Sequence, residues 1–391
     1  MNYIYCTMKG KQILEKFSNL PRRGTTTKEE KSAAQFLKNV LKEMGIKGSF
    51  DSFKAISSYS WEVILFSLFM MAGILMSPWL SFLGTAFVLI GFLSFFRHFM
   101  GRSTPFRPFI PKRTSQNIIG RIPPKYSVSK RNLILMAHYD SERASMIFSP
   151  SMVKSFRENF VFNTIVSAVT IPWAFLGQYW ADFWWFKLIC VLLALNQIVN
   201  IFIHIHRELA HKFVPGINDN GSGVAAIFEI LNDLKKHPLQ NTDLWIVFTG
   251  CEGAGIQGVK HFIDNYKSDL NPGNTYVINI DNVGKGNLHY VTGEGMLLFW
   301  KYNEIFIDKC AVITSRDEFL KIQPLEYRCA YFDALVFAQQ GYPCTTLIAL
   351  DDDGNIPNWR WYTDTIENID YETIQLAVDF SLELIRQIET S

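Results

Sequence analysis

Two long apolar stretches interrupt this sequence, at about residues 61–97 and 160–205. The first contains no charged residue between Val63 and Phe96. One membrane-spanning helix needs about 20 apolar residues, so a stretch of this length fits two spans. The pair Ser77-Pro78 lies near its middle and is typical of a turn. The stretch therefore predicts a helical hairpin in a membrane.

The second apolar stretch has the same organisation. Its two apolar segments, 160–180 and 183–203, are separated by Ala181-Asp182. Four tryptophans gather around this turn, as expected where a helix meets the membrane surface. They are Trp173, Trp180, Trp184 and Trp185. The alternative is a pair of buried core helices, but two hairpins of this length would overfill a domain of this size.

Positive charges lie at the outer ends of both hairpins and are scarce at the tips, where Lys187 is the one basic residue near a turn. The two hairpins together predict an integral membrane protein with four transmembrane helices. Because cytoplasmic loops are enriched in Lys and Arg, the charge asymmetry predicts that all the globular mass lies in the cytoplasm. The flanking residues are Arg97, Arg102, Arg107, Lys112, Arg113, Lys154, Arg157, Arg207 and Lys212.

Outside the hairpins, strand and helix patterns alternate. Residues 25–45 carry an N-terminal capping pattern and then apolar residues at helical spacing, ending at Gly45. The later strand segments are 132–140, 243–250, 275–284 and 344–350, and the helix segments between them are 221–234, 258–266 and 332–341. This alternation predicts an α/β fold of three layers, with a mixed, mainly parallel sheet and helices on both faces.

The bulk composition narrows the function classes. A net charge of +2, without a basic run that contains aromatics, argues against a nucleic-acid partner. The six cysteines are scattered without a CxxC spacing, which favours a reducing compartment. The first residues lack the apolar core of a signal peptide.

Candidate ligands follow the predicted strands. His138 and Asp140 end the segment 132–140, Glu252 follows 243–250, and Asp281 ends the next strand. Asp219 precedes the helix at 221–234. In such folds, sites form at the carboxyl ends of strands. One histidine among carboxylates is a donor set that suits zinc. Singly, each of these acids could be a turn or helix cap.

Six motifs in this order resemble the family of di-zinc exopeptidases that includes bacterial leucyl aminopeptidase and glutamate carboxypeptidase. They are AHYDSE, GINDNGSGVA, FTGCEGAGIQG, INIDNVG, GYPCTTL and DTIENID. The segment PRRGTTTKEEKSAAQFLKNVLKEMGI resembles the opening helices of that family. The resemblance implies a peptidase-like domain made of 1–54, 113–144 and 215–391, with hairpin insertions at 55–112 and 145–214.

The resemblance also implies roles for individual residues. One zinc would be held by His138, Asp219 and Asp281, and Asp140 would orient the histidine. Glu252 would be the general base. The second zinc of the family needs a glutamate at the next position, which is Gly253 here, and a histidine where the ungapped alignment places Arg360. Arginine does not ligate zinc. One zinc per chain is therefore expected.

The sequence thus predicts a membrane-bound, single-zinc hydrolase that acts on a peptide or amide. Arg360 could stabilise the oxyanion in place of the missing metal. The second hairpin is inserted between two ligand-bearing segments, which favours a short or partly apolar substrate reached near the membrane surface. Two alternatives stay open. One is an inactive pseudopeptidase that binds a peptide or protein, and the other is an acyltransferase of the glutaminyl cyclase type.

Overall fold

The computed structural model describes residues 9–126 and 129–390. The chain divides into two compact units, each made of discontinuous segments. The α/β unit contains Met1–Ser57, Lys112–Glu142 and Phe213–Ser391, and the helical unit contains Ser58–Pro111 and Arg143–Lys212. The extreme amino terminus, where a signal peptide is not expected, lies outside the described residues.

Nine strands form one sheet in the α/β unit. They are β1 (Gly48–Ile56), β2 (Lys112–Ile122), β3 (Arg131–His138), β4 (Thr242–Thr249), β5 (Thr275–Ile280), β6 (Asn287–Glu294), β7 (Trp300–Lys301), β8 (Gln323–Tyr327) and β9 (Cys344–Leu350). The strand order is β1-β2-β4-β3-β5-β9-β6-β7, and β8 pairs with β6.

The sheet is mixed, as predicted, but the expectation that it is mainly parallel is wrong. The four strands foreseen in the alternating pattern, β3, β4, β5 and β9, are mutually parallel. Antiparallel pairs flank this block, because β2 joins β1 to β4 and β6 joins β7 to β9. Of the eight pairings among the described strands, four are antiparallel. Strands β2 and β6, which the alternating pattern did not include, account for the difference. Strand β2 is antiparallel to β4, and strand β6 is antiparallel to β9.

Helices cover both faces of this sheet, as β4 illustrates. All eight residues of β4 are buried, and successive side chains point to opposite faces. Phe248 stacks on Phe228 of the helix that follows the second hairpin, with ring centroids 5.2 Å apart. Trp245 contacts Phe262 of a different helix, on the other face, at 6.2 Å. A central strand buried on both sides is therefore almost wholly apolar.

The helices of the α/β unit agree with the capping and periodicity signals. The helix expected after Thr25–Thr27 is α2, where the Thr27 side chain accepts a hydrogen bond from the Glu30 amide. In chain order these helices are α1 (Gly10–Ser18), α2 (Lys28–Glu43), α7 (Ser222–Lys236), α8 (Gln257–Tyr266), α9 (Glu304–Thr314), α10 (Ala334–Ala338) and α11 (Tyr371–Thr390).

The helical unit consists of two hairpins. The first is α3 (Ser60–Met76) with α4 (Ser81–Phe99), and the second is α5 (Phe156–Trp180) with α6 (Trp184–Ala210). Helices α3 and α4 approach closely at Gly73 and Gly84, since a Cβ on either glycine would lie 2.5 Å from the carbonyl oxygen of the other. Small residues at such contacts are typical of membrane helix pairs.

Three of these helices are long and apolar enough to cross a membrane. They are α4, α6 and the continuous helical segment Val153–Trp180 that contains α5. Helix α3 is also apolar but has 17 residues and falls short of the length criterion. Among the described residues, all but five of the exposed large apolar side chains belong to the helical unit. The five others are Tyr126, Leu298, Ile305, Val312 and Leu320.

A buried carboxylate anchors the base of the first hairpin. Glu62, near the start of α3, is fully buried and accepts two hydrogen bonds from the Arg107 guanidinium, at 2.9 and 2.7 Å. The Thr104 hydroxyl donates to the same carboxylate at 2.6 Å, and His98 Nδ1 lies 3.1 Å from it. A buried charge is tolerated when it is paired and hydrogen-bonded in this way.

A second buried carboxyl group makes the stability of the α/β unit depend on pH. Glu294, at the end of β6, accepts hydrogen bonds from the Tyr302 hydroxyl and from the Phe332 amide, the latter at 2.6 Å. Burial raises the pKa of Glu294 from 4.5 to about 8, because the ionised form loses its hydration.

We expect Glu294 to lower the stability of the folded chain as the pH rises from 4.5 to about 8. Over this interval the unfolded chain has already released the proton, whereas the folded chain still holds it. Glu294→Gln removes this dependence. As the pH rises from about 5 to about 8.5, the free energy of unfolding of the variant relative to that of the wild type should increase by roughly 1–3 kcal/mol. Thermal unfolding at each pH measures this difference. Exposed Glu318→Gln is the control, and a pH-independent difference for Glu294→Gln would contradict the assignment.

Candidate metal and catalytic site

Three metal-ligand side chains meet at the carboxyl edge of the parallel strands. His138 is the last residue of β3, Asp281 directly follows β5, and Asp219 lies just before α7. His138 Nε2 is 3.0 Å from Asp219 Oδ1 and 3.5 Å from Asp281 Oδ1. All three residues are buried, and their ligand atoms lie within 4.8 Å of one another. The predicted donor set is therefore brought together in space.

Asp140 lies behind the histidine and connects it to the next loop. Its backbone oxygen is 3.2 Å from His138 Nδ1, and its Oδ1 atom is 3.6 Å from the same nitrogen. The Asp140 carboxylate also accepts hydrogen bonds from the Glu252 amide at 3.1 Å and the Thr25 hydroxyl at 3.2 Å. Asp140 therefore contributes both to the orientation of the imidazole and to the position of the Glu252 backbone.

The loop that carries Asp219 is held from two sides by residues to which the sequence analysis gave no role. Asp364 accepts hydrogen bonds from the amides of Asn218 and Asp219, at 2.5 and 3.1 Å. The fully buried Arg23 guanidinium donates to the carbonyl oxygens of Tyr139, Pro215 and Gly216, at 2.8, 2.9 and 2.6 Å. The Asp219–Asn220 peptide bond is cis. Arg23 thus ties the segment after His138 to the segment before Asp219.

A second set of hydrogen bonds fixes the Asp219 loop against the Asp281 loop. Asn220 donates to the Ile280 carbonyl at 2.8 Å and accepts from the Asn282 amide at 3.2 Å. Asn218 accepts from the Gly284 amide at 2.7 Å. These contacts join residues that are 60 or more positions apart. No spacing rule in the sequence indicates them, because each depends on the packing of two loops.

Glu252 is the predicted general base, and it lies close to Arg360 in this site. It is buried beside the metal-ligand cluster, and burial raises the pKa of its carboxyl group well above the ordinary value. The positive charges of His138 and Arg360 act in the opposite direction. A carboxyl group tuned upward by burial is suited to general acid–base work near neutral pH.

Arg360 points into the site. Its Nη2 atom is 3.4 Å from Glu252 Oε2, and its Nε atom is 3.8 Å from Asp219 Oδ2. The backbone of Arg360 is left-handed, with φ of 48°, which costs a non-glycine residue on the order of 1 kcal/mol. His289 lies in β6, where its Nδ1 atom is 2.8 Å from the Asn287 carbonyl oxygen.

Glu142 occupies the space beside Gly253, which the sequence analysis did not foresee. A Cβ atom on Gly253 would lie 1.7 Å from Glu142 Oε1 and 2.1 Å from its carboxyl carbon. Real Cβ atoms essentially never approach other heavy atoms to within 3.0 Å. The motif AHYDSE contains Glu142, but nothing in the sequence relates it to a glycine 111 positions later.

The charges of the cluster fit a metal cation. Burial by itself would lower the pKa of His138, but the charge of Asp281 and hydrogen bonds to three aspartates raise this pKa well above its ordinary value. For the carboxyl group of Asp281, burial itself raises the pKa above the ordinary value. The cluster therefore favours a positive charge between its members. A histidine nitrogen with two carboxylate oxygens is a donor set that suits zinc.

The fold and this cluster together define an α/β protein with a candidate metal site whose donors suit zinc. Residues 204–385 match the model of peptidase family M28. The matched segment is just under half of the chain.

One related sequence is the "Probable lipoprotein aminopeptidase LpqL" of Mycobacterium tuberculosis (strain ATCC 25618 / H37Rv). It is 35% identical over 81 residues, which are 21% of this chain and 16% of that protein. The chain therefore spans about one sixth of that relative.

Two solved structures share the fold at low identity. A Zn-dependent exopeptidase from Parabacteroides distasonis ATCC 8503 has a TM-score of 0.56 and 16% identity, with 96% of each chain covered. The glutaminyl cyclase of Porphyromonas gingivalis has a TM-score of 0.58 and 13% identity, with 97% of each chain covered. At this identity the likeness shows the fold alone.

We expect His138→Ala and Asp281→Ala each to abolish zinc binding, because a three-residue site cannot lose one ligand. Elemental analysis of the purified full-length protein measures the zinc content per chain. Exposed residues of the same types provide controls, namely His237→Ala and Asp264→Ala. One zinc retained in His138→Ala would show that the metal binds elsewhere.

Proposed function

We propose that the protein is a membrane-bound, single-zinc hydrolase of peptide or amide bonds. The observation that carries this proposal is the buried His138–Asp219–Asp281 cluster, with Glu252 and Arg360 beside it. His138, Asp219 and Asp281 would hold the zinc, and Asp140 would orient His138. When bound, zinc supplies Lewis-acid polarisation of the scissile carbonyl and activation of a water molecule.

The protein's own residues account for the proton transfers. Glu252, whose pKa is raised by burial, accepts the proton of the attacking water and then delivers it to the leaving amine. The Glu252 amide is tied to Asp140, so the base and the histidine ligand are held by one carboxylate. A displacement of Glu252 or of His138 would therefore disturb the other residue through Asp140.

Arg360 stabilises negative charge on the substrate in this proposal. Its guanidinium, 3.4 Å from Glu252 and 3.8 Å from Asp219, lies beside the group that accepts the proton. A fixed cation close to the reacting carbonyl can stabilise the oxyanion as it forms. Arg360 takes the role that the second metal has in the di-zinc peptidases that the sequence resembles.

Two other functions explain fewer features of the site than the hydrolase does. A glutaminyl cyclase shares the fold, but the resemblance indicates that the single zinc of those enzymes uses the glutamate and histidine positions that are Gly253 and Arg360 here. A pseudopeptidase would bind peptide without cleaving it. A pseudopeptidase gives Glu252, buried next to the cluster, no chemical task.

The test of the hydrolase is Glu252→Gln. The amide cannot accept a proton, so hydrolysis of a peptide panel should fall by about 10²–10⁴-fold. Zinc content should stay at the wild-type value, because Glu252 is not a ligand. Glu318→Gln is the exposed control. Unchanged hydrolysis in Glu252→Gln would reject the assigned base, and a zinc-loaded wild type that cleaves no peptide or amide would favour the pseudopeptidase.

The proposed membrane topology has four spans, with α3 as the short fourth span. The exposed apolar side chains of the helical unit support insertion, since water would not accommodate this surface in a monomer. The excess of Arg and Lys at the outer ends of the hairpins supports a cytoplasmic location for the α/β unit. The insertion of the second hairpin between ligand-bearing segments supports a short or partly apolar substrate near the membrane.

We expect the chain to require detergent for extraction. An exposed cysteine introduced by His237→Cys should be protected from a membrane-impermeant maleimide in intact cells and should react after lysis. Asp182→Cys, between α5 and α6, is the matched control and should react in intact cells. Labelling of the residue 237 variant from outside would overturn the orientation, and clean extraction without detergent would overturn insertion.

A further inference from the structure

We infer that Asp51, His261 and Asn265 form a second metal site, which binds a divalent first-row transition-metal ion such as Zn²⁺. Asp51 lies in β1, and His261 and Asn265 lie four positions apart in α8. Both elements belong to the α/β unit. The inference does not depend on the proposed hydrolysis, and it gives a role to three side chains that the candidate active site does not use.

One atom from each of the three side chains contacts the other two. His261 Nε2 lies 3.1 Å from Asp51 Oδ1, and the Asn265 amide nitrogen lies 3.1 Å from the same oxygen. The amide nitrogen is also 2.9 Å from His261 Nε2. Residues four positions apart share one face of a helix, so α8 can present both side chains to one carboxylate. The three atoms therefore form a nearly equilateral triangle.

Hydrogen bonds cannot satisfy all three edges of this triangle. An ionised carboxylate oxygen only accepts, so if His261 and Asn265 both donate to Asp51, the contact between the two donors is repulsive. If His261 Nε2 instead accepts from the Asn265 amide, its lone pair faces the carboxylate oxygen. If the amide is turned so that its oxygen points inward, that oxygen faces the carboxylate oxygen. In each assignment one of the three contacts is repulsive.

A metal cation removes this conflict. After a half-turn of the exposed Asn265 amide, an imidazole nitrogen, a carboxylate oxygen and an amide oxygen all direct lone pairs at one point. Neighbouring donors around an octahedral ion are about 3.0 Å apart when each metal–donor distance is about 2.1 Å. The three edges, of 2.9 to 3.1 Å, match this spacing. An ammonium group, with hydrogen bonds of about 2.9 Å, would need its acceptors about 4.7 Å apart.

The donors and their surroundings select the kind of ion. An imidazole nitrogen favours first-row transition metals over Mg²⁺ and Ca²⁺, which prefer oxygen donors. The Phe53 ring lies 5.0 Å from the His261 ring and restricts its rotation. The His261 side chain is 29% exposed and that of Asp51 is 10% exposed, so water can complete the coordination. With three protein donors and access to solvent, we expect the ion to be lost during purification without added metal.

The other oxygen of Asp51 is held by a neighbouring strand. Asn117 in β2 donates to Asp51 Oδ2 at 3.3 Å and to the Gly258 carbonyl at 2.9 Å, and it accepts from the Gly250 amide at 3.2 Å. Asp51 therefore uses one oxygen for this contact and the other for the triangle. Its orientation is fixed before a metal arrives, which lowers the cost of ordering the ligand on binding.

The experiment counts zinc sites in the full-length protein in detergent. After chelator treatment, Zn²⁺ is titrated near neutral pH by calorimetry. We expect the wild type to bind one weak equivalent, with a dissociation constant on the order of 10 µM, besides the zinc of the His138 cluster. His261→Ala and Asp51→Asn should each lose the weak equivalent alone, and His138→Ala should keep it. His237→Ala and Asp264→Ala are exposed controls of the same residue types.

Asn265→Asp distinguishes a metal site from a cluster held by hydrogen bonds. Without metal, the added carboxylate is repelled by Asp51, so the melting temperature should fall. With metal, a carboxylate is a stronger ligand than an amide, so the weak equivalent should bind at least about tenfold more tightly. Asn265→Leu removes the donor and should abolish the weak equivalent.

Three results would overturn the inference. They are a zinc titration in which His261→Ala matches the wild type, weaker zinc binding by Asn265→Asp, and binding of Mg²⁺ as tight as that of Zn²⁺. If His261→Ala does not fold, as judged by its melting temperature, Asn265→Leu takes its place. Failure of the proposed hydrolysis is distinguishable, because the weak equivalent then persists in a protein that cleaves no peptide.

Discussion

Buried negative charge around one histidine is the constraint on which the α/β unit depends. Asp140, Asp219 and Asp281 converge on His138, and Glu252 and Glu142 lie close by, almost without access to solvent. Carboxylates are placed in such surroundings at a large cost in hydration unless cations compensate them. Arg360 and Arg23 supply two such charges, and a divalent metal on the histidine side would supply the largest.

The loops that carry these charges are held by hydrogen bonds to backbone atoms. Arg23 binds three carbonyl oxygens, and Asp364 binds two amides, so each joins segments that are far apart in the chain. Burial raises the pKa of Asp364 to about 7, which reflects how completely this carboxylate is removed from water. These hydrogen bonds fix the positions of the loops, as the proposed electrostatic catalysis would require.

Apolar surface plays a different part in the helical unit. The helical unit has more exposed large apolar side chains than the described part of the α/β unit. The buried charges of Glu62 and Arg107 neutralise each other near the ends of the first hairpin. Glycines at 73 and 84 let two helices approach closely without large side chains between them. Close contacts at small residues are typical of helix pairs in membranes, so they support the proposed insertion.

Local patterns in the sequence determined much of the secondary structure and the order of the candidate ligands. The parallel strands β3, β4, β5 and β9 and the cap at Thr27 follow from apolar runs and short-range hydrogen bonds, which act between near neighbours. The antiparallel flanks escaped prediction because pairing of β2 and β6 is decided by distant strands. Tertiary structure alone decided that Glu142 fills the space beside Gly253 and that Asp364 holds the Asp219 loop. Such contacts join residues more than 100 positions apart, and only packing brings them together.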